Sequence, residues 1–382
     1  MKIIADENIP CVEQAFSTLG EVKLLPGRAM CARDVRAADI LLVRSVTRVD
    51  EHLLRDSRVR FVGSATIGFD HVDRDYLRDR GIGFATAPGS NATSAAEYVI
   101  SALLVLARRK KFRLVDKTAG IIGCGNVGAR VHARLTALGV TCVVNDPPLQ
   151  VLGGHDDYVG LDDILQADII SVHVPLTRAG THPTFHLIDA DFMRRLKPGA
   201  ILINTARGAV TDNRALDELL AVRDDLSVVL DVWEGEPAIN TALLQKVALG
   251  TPHIAGYSLD GKLRGTEMIY QAVCKHFNLP AHWQAADELP AGQLLVVSAP
   301  ALTGSEIIRK AVLHAYDVRA DDRRLRKLLS MDPAERPAYF DRLRKEYPLR
   351  REFAAITLVP EKRDPHLIGM LRGLGFDVRE KS

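Results

Sequence analysis

Short apolar runs alternate with polar segments along the first part of the chain. The runs at 2–5, 40–46, 61–65 and 81–85 are rich in aliphatic residues, and the polar segment 71–80 has a helical pattern. Strands that alternate with helices are typical of an α/β layer with a parallel sheet. The pattern therefore predicts a doubly wound domain at the start of the chain.

A turn-forming stretch at 88–91 separates this region from a second alternation. Asn91 or Thr93 is placed to cap a helix over 94–109, which is so apolar along one side that we expect it to be buried. Each of the later predicted strands is followed by a turn and a helical segment; they lie at 120–122, 141–145, 168–172, 200–204 and 227–231. We interpret this region as a second doubly wound sheet, of the nucleotide-binding type.

The remaining pattern predicts a return to the first domain and then a small third one. A long helix over 259–277 carries the chain back, and the Pro- and Ala-rich stretch 279–291 indicates a linker. Beyond it we predict strands at 294–297 and 354–359 and helices at 305–315, 321–329, 333–345 and 365–374. The predicted fold class is α/β, with two doubly wound parallel-sheet domains and a small C-terminal α+β domain. These are a discontinuous flavodoxin-like substrate domain (1–91 and 260–285), a Rossmann domain (92–259) and a C-terminal domain (286–382).

Composition and charge restrict the class of protein. Hydrophobic residues make up 47 % and charged residues 26 % of the 382 positions, and the net charge is +2. These values are typical of a globular protein. The one basic cluster, Arg323–Lys327 and Arg342–Lys345, is interleaved with acidic residues, so we interpret it as solvated helix surface and expect no nucleic-acid partner.

The cysteines and the apolar stretches indicate the compartment. The five cysteines are odd in number and form no CxxC pair, which favours a reducing environment. Asp6 and Glu7 interrupt the N-terminus before an apolar run can develop, and the longest apolar stretch, 98–107, is half of the ~20 residues that a membrane span needs. We therefore expect a cytoplasmic protein without a membrane partner.

A glycine motif, Gly123-Cys124-Gly125-Asn126-Val127-Gly128, follows an apolar strand and opens a helix. The first glycine permits a tight turn, the second lets the backbone approach a pyrophosphate, and the third lets helix and strand pack closely. Asp146 ends the next strand, where a carboxylate can bind a ribose diol and repel a 2′-phosphate. The motif predicts a dinucleotide site that favours NAD over NADP. The alternative is a strand, turn and helix that hold no ligand.

Three residues follow later strands of the same region and form a candidate catalytic set. Arg207 has the planar fork that matches a carboxylate with two hydrogen bonds. His253 can take a proton from a hydroxyl group near neutral pH, and Glu236 can orient its ring. Taken singly, each has a structural explanation, as a surface charge or a buried histidine. Together, after a dinucleotide motif, they favour a catalytic function.

The other histidines do not indicate a metal site. His182 and His186 are four residues apart, but Pro183 lies between them and no glutamate accompanies them, as it does in zinc proteases. We interpret His71 and His173 as structural residues. We therefore expect no metal.

The ordered motifs resemble one enzyme family. GCGNVG, Asp146, HVPL (173–176), NTARGAV (204–210), DVWEGEP (231–237) and TPHIAGY (251–257) are similar to the D-isomer-specific 2-hydroxyacid dehydrogenase family. The resemblance implies hydride transfer between NAD and carbon 2 of a hydroxy acid, in a cleft between two domains, with Arg207, Glu236 and His253 as catalytic residues. It also implies a set of NAD-binding residues: Gly123, Gly125, Asn126, Val127, Gly128, Asp146, Val174, Ala206, Arg207, Gly208, Asp231 and Gly256.

Further details resemble a branch of that family that acts on a phosphorylated 2-hydroxy acid. They are the opening KIIADENIP, the segments 42–47, 63–66 and 70–73, Tyr257, and the C-terminal domain. The resemblance implies substrate contacts by Ser45, Thr66 and Tyr257, and a homodimer formed through the C-terminal domain. From the residues alone, Arg44 is a candidate to hold a phosphate group, and a surface salt bridge is its alternative.

Two other functions remain open at this point. A related dehydrogenase that acts on glycerate, 3-phosphoglycerate or hydroxypyruvate would share every catalytic residue. A non-catalytic scaffold that senses NADH is disfavoured because Arg207, Glu236 and His253 are all present. Comparing turnover of the different acids with NAD distinguishes these related dehydrogenases from one another. An Arg207→Ala variant with undiminished function would favour the non-catalytic scaffold.

Overall fold

A computed structural model describes residues 1–153, 158–297, 303–360 and 364–379. Its strands, in chain order, are β1 (Lys2–Asp6), β2 (Glu21–Leu25), β3 (Ile40–Val43), β4 (Phe61–Ser64), β5 (Gly83–Ala85), β6 (Thr118–Ile122), β7 (Thr141–Asn145), β8 (Ile169–Val172), β9 (Ile201–Asn204), β10 (Ser227–Leu230), β11 (Leu249–Gly250), β12 (Gln293–Val297), β13 (Ile356–Pro360) and β14 (Asp377–Val378).

The α-helices are α1 (Val12–Phe16), α2 (Ala32–Val35), α3 (Glu51–Leu54), α4 (Arg74–Asp79), α5 (Ala92–Lys110), α6 (Asn126–Ala137), α7 (Pro147–Val151), α8 (Leu161–Ile164), α9 (Ala190–Arg194), α10 (Asn213–Leu219), α11 (Thr241–Lys246), α12 (Leu259–Phe277), α13 (Gly304–Ala315), α14 (Val318–Leu325), α15 (Arg336–Lys345) and α16 (Pro365–Leu374). Short 3-10 helices lie at Gly27–Ala29, Leu114–Asp116, Gly208–Val210, Ala285–Glu288, Arg326–Ser330 and Phe353–Ala355.

The chain divides into two compact units. Met1–Asn91 and Ser258–Ala291 form the first unit, and Ala92–Tyr257 and Gly292–Ser382 form the second. The second unit thus contains both the predicted Rossmann domain and the predicted C-terminal domain. The role of the C-terminal region in dimerisation stays a prediction.

The first unit contains a five-stranded parallel sheet in the order β2-β1-β3-β4-β5. This is the flavodoxin-like order, as predicted. The sheet is covered on one side by α1 and α12, whose Phe16, Ile269 and Tyr270 are buried in one cluster with residues of β1, β3 and β4. Helix α12 spans the residues that the sequence pattern predicts.

The main sheet of the second unit is also parallel, in the order β11-β10-β9-β8-β6-β7. An isolated parallel bridge between Val144 and Tyr158 extends it beyond β7. With this bridge as a rudimentary third strand, the order is that of a dinucleotide-binding sheet, and the strand order reverses between β6 and β8. Ligands of such sheets bind at this reversal, outside the carboxyl ends of the strands.

Helix α5 is the buried helix that the sequence predicts. Every residue from Ser94 to Leu106 is buried, although the segment includes Glu97. Its apolar side chains share one cluster with β6, α6 and the C-terminal helices α13 and α16. The C-terminal region therefore packs on the nucleotide-binding sheet as part of the same core.

The C-terminal region contains a three-stranded parallel sheet, β12-β13-β14, with helices between its strands. The predicted surface position of the basic cluster is correct for Arg323, Lys327 and Arg342, which are exposed. It is wrong for Arg326 and Arg344, which are partly buried. Arg326 donates hydrogen bonds to the carbonyl oxygens of Leu244 and Val247 at 2.8 Å each, so it joins α14 to the end of α11.

Among the described residues, none of the helices combines the length and the apolar character required to cross a membrane.

Candidate active site

The glycine turn between β6 and α6 has the geometry that a dinucleotide site needs. Gly123 has a positive φ of 87°, and a Cβ there would lie 2.8 Å from Cγ1 of Val174. A Cβ at Gly128 would collide with the carbonyl oxygen of Gly123, whereas a Cβ at Gly125 would meet no protein atom within 4 Å. The first and third glycines are thus required by the fold, and the second leaves open space beside the N-terminus of α6, where a pyrophosphate fits.

Asp146 lies directly beside this turn. Its Oδ2 accepts a hydrogen bond from the backbone N–H of Cys124 at 2.7 Å, and its Oδ1 accepts one from Leu149 N–H at 3.1 Å, which caps α7. The carboxylate is therefore fixed at the end of β7, next to the motif, where the ribose of a dinucleotide would lie.

The candidate catalytic residues follow three neighbouring strands. Asn204 of β9 is paired with Leu230 of β10, and Leu230 is paired with Gly250 of β11. Arg207, Glu236 and His253 follow the carboxyl ends of these strands, at the same edge as the glycine turn. The parallel topology brings their loops together although they are far apart in sequence.

Glu236 and His253 are in direct contact. His253 Nδ1 lies 2.8 Å from Glu236 Oε2, and Glu236 Oε1 accepts a hydrogen bond from Trp233 N–H at 2.8 Å. Burial would raise the pKa of Glu236, but the adjacent His253 and the Trp233 N–H outweigh it and lower this pKa below its ordinary value. An ionised Glu236 accepts the proton of Nδ1, so Nε2 is the nitrogen that can accept a proton from a substrate.

A buried carboxylate holds the loop of His253 in place. Asp231 is 1 % exposed and accepts hydrogen bonds from Thr251 Oγ1 (2.6 Å), Ile254 N–H (2.8 Å) and Ala255 N–H (2.9 Å). Burial raises its pKa, against these hydrogen bonds. His253 itself has a positive φ of 56°, and its N–H donates to the carbonyl oxygen of Asp231 at 2.7 Å. The sequence did not predict this structural function of Asp231, whose NAD contact stays a prediction.

Arg207 lies in a loop that is fixed from both sides by Asn204. The Asn204 side chain accepts from Ala206 N–H at 2.9 Å and donates to the carbonyl oxygen of Arg207 at 3.0 Å. The guanidinium of Arg207 donates to the carbonyl oxygen of Ala206 at 2.7 Å. A Cβ at Gly208 would collide with the backbone carbonyl of Trp233, so the Arg207 loop packs tightly on the loop that carries Glu236.

A second set of contacts anchors the Glu236 loop and was not predicted. Glu234 Oε1 lies 2.8 Å from His186 Nε2, and Glu234 Oε2 accepts from Asn213 N–H at 2.9 Å. His186, Asp212 and Glu234 bring potential metal-ligand atoms within 4.8 Å of one another. Asp212 also caps α10 by accepting from Ala215 N–H at 2.9 Å, so hydrogen bonds within the protein already use both carboxylates.

The other predicted residues of this unit lie around the same edge. Val174 follows β8 and adjoins the glycine turn, and Ala206 and Gly208 flank Arg207. Asn126 and Val127 start α6, and Gly256 and Tyr257 follow the His253 loop. His173 bonds Ser171 Oγ at 2.8 Å, and burial lowers the pKa of His173 to about 3, as expected for a structural histidine.

Three predicted substrate contacts belong to the first unit. Arg44 Nε donates to the buried carboxylate of Asp6 at 3.1 Å. This nitrogen therefore forms a salt bridge, the alternative to phosphate binding given above. Thr66 Oγ1 bonds Ser64 Oγ at 2.7 Å and the carbonyl oxygen of Gly68 at 3.0 Å. Ser45 is exposed. Their contacts with substrate stay predictions.

The C-terminal region also reaches the His253 loop, which no local sequence pattern indicated. Arg350 is 5 % exposed and donates to the carbonyl oxygens of Ala255 (3.0 Å) and Ser94 (2.6 Å). Its guanidinium stacks on Tyr316, with the guanidinium carbon 3.6 Å from the ring centroid. A residue far along the chain thus fixes the backbone next to His253.

Comparison with known proteins agrees with this geometry. Residues 99–255 match the family model of the D-isomer specific 2-hydroxyacid dehydrogenase NAD-binding domain, and residues 289–375 match a domain of unknown function. Erythronate-4-phosphate dehydrogenase of Chromohalobacter salexigens is 47 % identical over 388 residues, with 100 % of both chains covered. The enzyme of the same name from Hahella chejuensis is 45 % identical over 382 residues, again with 100 % of both chains covered.

The chain belongs to the family of erythronate-4-phosphate dehydrogenases. This places it among the D-isomer specific 2-hydroxyacid dehydrogenases and confirms the resemblance found in the sequence. It is an oxidoreductase with NAD as its cofactor.

Solved structures of the wider family share the fold. D-lactate dehydrogenase from Aquifex aeolicus, complexed with NAD and lactic acid, has 26 % sequence identity and a TM-score of 0.59, covering 73 % of this chain and 96 % of its own. NAD+-bound 3-phosphoglycerate dehydrogenase of Entamoeba histolytica has 24 % identity and a TM-score of 0.63, covering 73 % of this chain and 95 % of its own. The similarity to the Entamoeba histolytica structure supports the fold alone.

Proposed function

We propose that this protein oxidises 4-phospho-D-erythronate at carbon 2 to 2-oxo-3-hydroxy-4-phosphobutanoate, with NAD as oxidant, in the biosynthesis of pyridoxal 5′-phosphate (vitamin B6). The observation that carries the proposal is the Glu236–His253 pair, 2.8 Å apart, at the edge of the sheet that also presents the glycine turn. The names of the full-length relatives support the choice of substrate.

The protein's residues have distinct roles in this proposal. His253 Nε2 accepts the proton of the C2 hydroxyl group, while Glu236 holds the proton on Nδ1 and stabilises the resulting imidazolium. Arg207 binds the substrate carboxylate and polarises the carbonyl group that develops at carbon 2. When bound, NAD would supply the acceptor for the hydride that leaves the same carbon.

The cofactor site is assigned from the glycine turn and the strand ends. Gly123, Gly125, Asn126, Val127 and Gly128 hold the pyrophosphate, and Asp146 binds the adenosine ribose and disfavours a 2′-phosphate. The remaining proposed NAD contacts are Val174, Ala206, Arg207, Gly208, Asp231 and Gly256. For the substrate we propose Arg44, Ser45, Thr66 and Tyr257.

Steady-state assay of the purified protein tests the activity. With NAD, 4-phosphoerythronate is expected to give NADH with a higher kcat/KM than glycerate or 3-phosphoglycerate. A higher kcat/KM for one of those acids would assign the protein to a related dehydrogenase instead. No NADH from any of these acids would contradict the proposal.

We also propose that the protein is a homodimer and that it is cytoplasmic. Strand β12 lies at the edge of the C-terminal sheet, where Leu294 is 68 % and Val296 51 % exposed, and such an apolar edge is suited to a second copy. All five cysteines are free thiols, which fits a reducing compartment.

Light scattering after gel filtration tests the dimer. The double variant Leu294→Asp/Val296→Asp is expected to be monomeric, because charges on this edge would be buried without partners. The matched control is Val222→Asp, since Val222 is 80 % exposed and lies in the nucleotide-binding part of the second unit, away from β12 in sequence. A wild-type protein that is monomeric at all concentrations would contradict the proposal.

A further inference from the structure

One arginine of the C-terminal region turns towards the candidate active site. Arg344 lies on α15, and its guanidinium carbon is 5.9 Å from the ring centroid of Tyr257, four residues after His253. Burial alone would lower the pKa of Arg344, but its hydrogen bond to the Tyr257 side chain and the charges of Tyr257 and Glu236 raise it. The cation is thus close enough to the Glu236–His253 pair to interact with it electrostatically.

Arg344 is only partly satisfied by the protein. Its Nε is buried and has no hydrogen-bond partner among the described residues. Arg324 pairs with Asp321 at 3.2 Å and Arg326 with Asp322 at 2.9 Å. Arg350 also has a buried Nε without a partner, but its two terminal nitrogens bind carbonyl oxygens. A buried donor without a partner is costly, so an acceptor that reaches this guanidinium would stabilise it.

The neighbouring carboxylate does not fill this place. The oxygens of Glu236 accept hydrogen bonds from His253 and from Trp233 N–H, and neither oxygen bonds Arg344 Nε. The positive charge of Arg344 therefore remains available to an anion beside the catalytic pair. A guanidinium with a tyrosine hydroxyl is a donor set that suits a phosphate group.

We propose that Arg344 and Tyr257 form the subsite that binds the phosphate group of the substrate. The identity of the ligand rests on the proposed function, whereas the anion site rests on the geometry around Arg344. It follows that the C-terminal region, which matches a domain of unknown function, contributes to substrate specificity as well as to the core.

The test compares a phosphorylated with an unphosphorylated acid. The ratio of kcat/KM for 4-phosphoerythronate to that for erythronate is measured for wild type, Arg344→Met and Arg344→Lys. Loss of charge-assisted hydrogen bonds is expected to lower this ratio by about 10- to 150-fold in Arg344→Met. Arg344→Lys keeps the charge without the planar fork and is expected to give an intermediate ratio.

Arg342 provides a matched control on the same helix. It is exposed and stacks on Tyr339, with its guanidinium carbon 5.0 Å from that ring centroid. Arg342→Met is expected to leave the ratio unchanged. If Arg344→Met lowered kcat/KM for both acids equally, Arg344 would only position the catalytic pair and the phosphate subsite would be refuted; an unchanged ratio would refute it as well.

A binding measurement separates this inference from the proposed function. Calorimetric titration of the NADH-loaded protein with inorganic phosphate is expected to detect binding in wild type and at least tenfold weaker binding in Arg344→Met. If phosphate binding weakens in Arg344→Met but the wild-type protein does not oxidise 4-phosphoerythronate, the anion site is supported and the proposed substrate is refuted. Equal phosphate binding by both proteins would overturn the anion site, whatever the activity.

Discussion

Replacing Glu236 by glutamine separates the charge of this side chain from its shape. In the protein, one carboxylate oxygen accepts from His253 Nδ1 and the other from Trp233 N–H, both at 2.8 Å. Glutamine has one acceptor oxygen and one NH2 group, so it can satisfy only one of these donors. If its oxygen stays with Trp233, its NH2 group faces Nδ1 and selects the tautomer with the proton on Nε2. That tautomer cannot accept the proton of a substrate hydroxyl group.

The size of the effect follows from these contacts. A hydrogen bond to a charged group contributes about 1.5–3 kcal/mol, equivalent to about 10- to 150-fold in rate if it acts fully in the transition state. Loss of the base form of His253 removes general-base catalysis, which contributes about 10²- to 10⁴-fold. We therefore expect kcat of Glu236→Gln to fall by about 10²- to 10⁴-fold, with little change in the affinity for NADH.

The assay measures kcat and KM with the preferred acid and, separately, the affinity for NADH. Glu234→Gln is the matched control, because it places the same substitution in the same loop. Glu234 contacts His186 and Asn213 instead of His253, so this variant is expected to lose stability while kcat falls less than about tenfold. Equal losses of kcat in the two variants would refute the reasoning, since the effect would then come from the loop and not from the pair.

The pH dependence of stability gives an independent check on the same pair. The pKa of Glu236 is lowered in the folded state from an ordinary value of 4.5. Its ionised form therefore stabilises the fold above about pH 4.5, and this contribution is lost as the pH falls through the folded-state pKa. The difference in unfolding free energy between wild type and Glu236→Gln is expected to be constant near neutrality and to shrink below pH 4.5. A difference that grows on acidification would contradict the assignment.

Four further substitutions test the cofactor site and the buried contacts of the C-terminal region. Gly125→Ala is expected to unfold at the wild-type temperature, because its Cβ meets no protein atom, but to bind NADH more weakly, because the Cβ would occupy the proposed pyrophosphate site. Gly128→Ala is expected to lose about 1–3 kcal/mol of stability through collision with the Gly123 carbonyl. The opposite pattern in melting and NADH titration would contradict the proposed pyrophosphate site. Asp146→Ala is expected to narrow the kinetic preference for NAD over NADP. It is also expected to lower the unfolding free energy by about 1 kcal/mol, because it removes the cap of α7. An unchanged cofactor preference would exclude Asp146 from the ribose site. Arg350→Met is expected to lower the unfolding free energy by about 2–6 kcal/mol, because two buried carbonyl oxygens lose their hydrogen-bond donor. A loss under about 1 kcal/mol in denaturant titration would be inconsistent with those contacts.

Elements with strong periodicity were predictable from the sequence, whereas three edge strands, β2, β11 and β14, were not. Helix α12 and strand β7 have the predicted bounds, because their apolar positions repeat clearly and turn residues mark their ends. Strand β2 was missed because Glu21–Leu25 has no buried face. It lies at the edge of its sheet, with every residue exposed or partly exposed, so no alternation of apolar and polar residues is required.

The local motifs of the site were predictable, and its long-range supports were not. The roles of Gly123 and Gly128 follow from backbone geometry that only glycine meets, so the spacing of the motif carries the information. Arg344 and Arg350 reach the His253 loop only through the packing of the C-terminal region on α5 and α6. Nothing in the sequence around either arginine indicates this contact, and a helix rich in charged residues is usually exposed.

Transfer of deuterium from carbon 2 tests whether the protein removes a hydride from that carbon. When the protein is given NAD and 4-phosphoerythronate deuterated at carbon 2, we expect the deuterium to appear in the reduced cofactor. We also expect His253→Gln to slow this transfer by about 10²-fold or more without abolishing NADH binding. Deuterium that stays in the product acid would contradict hydride transfer from carbon 2, and a His253→Gln variant that transfers it at the wild-type rate would contradict the role of His253 as the base.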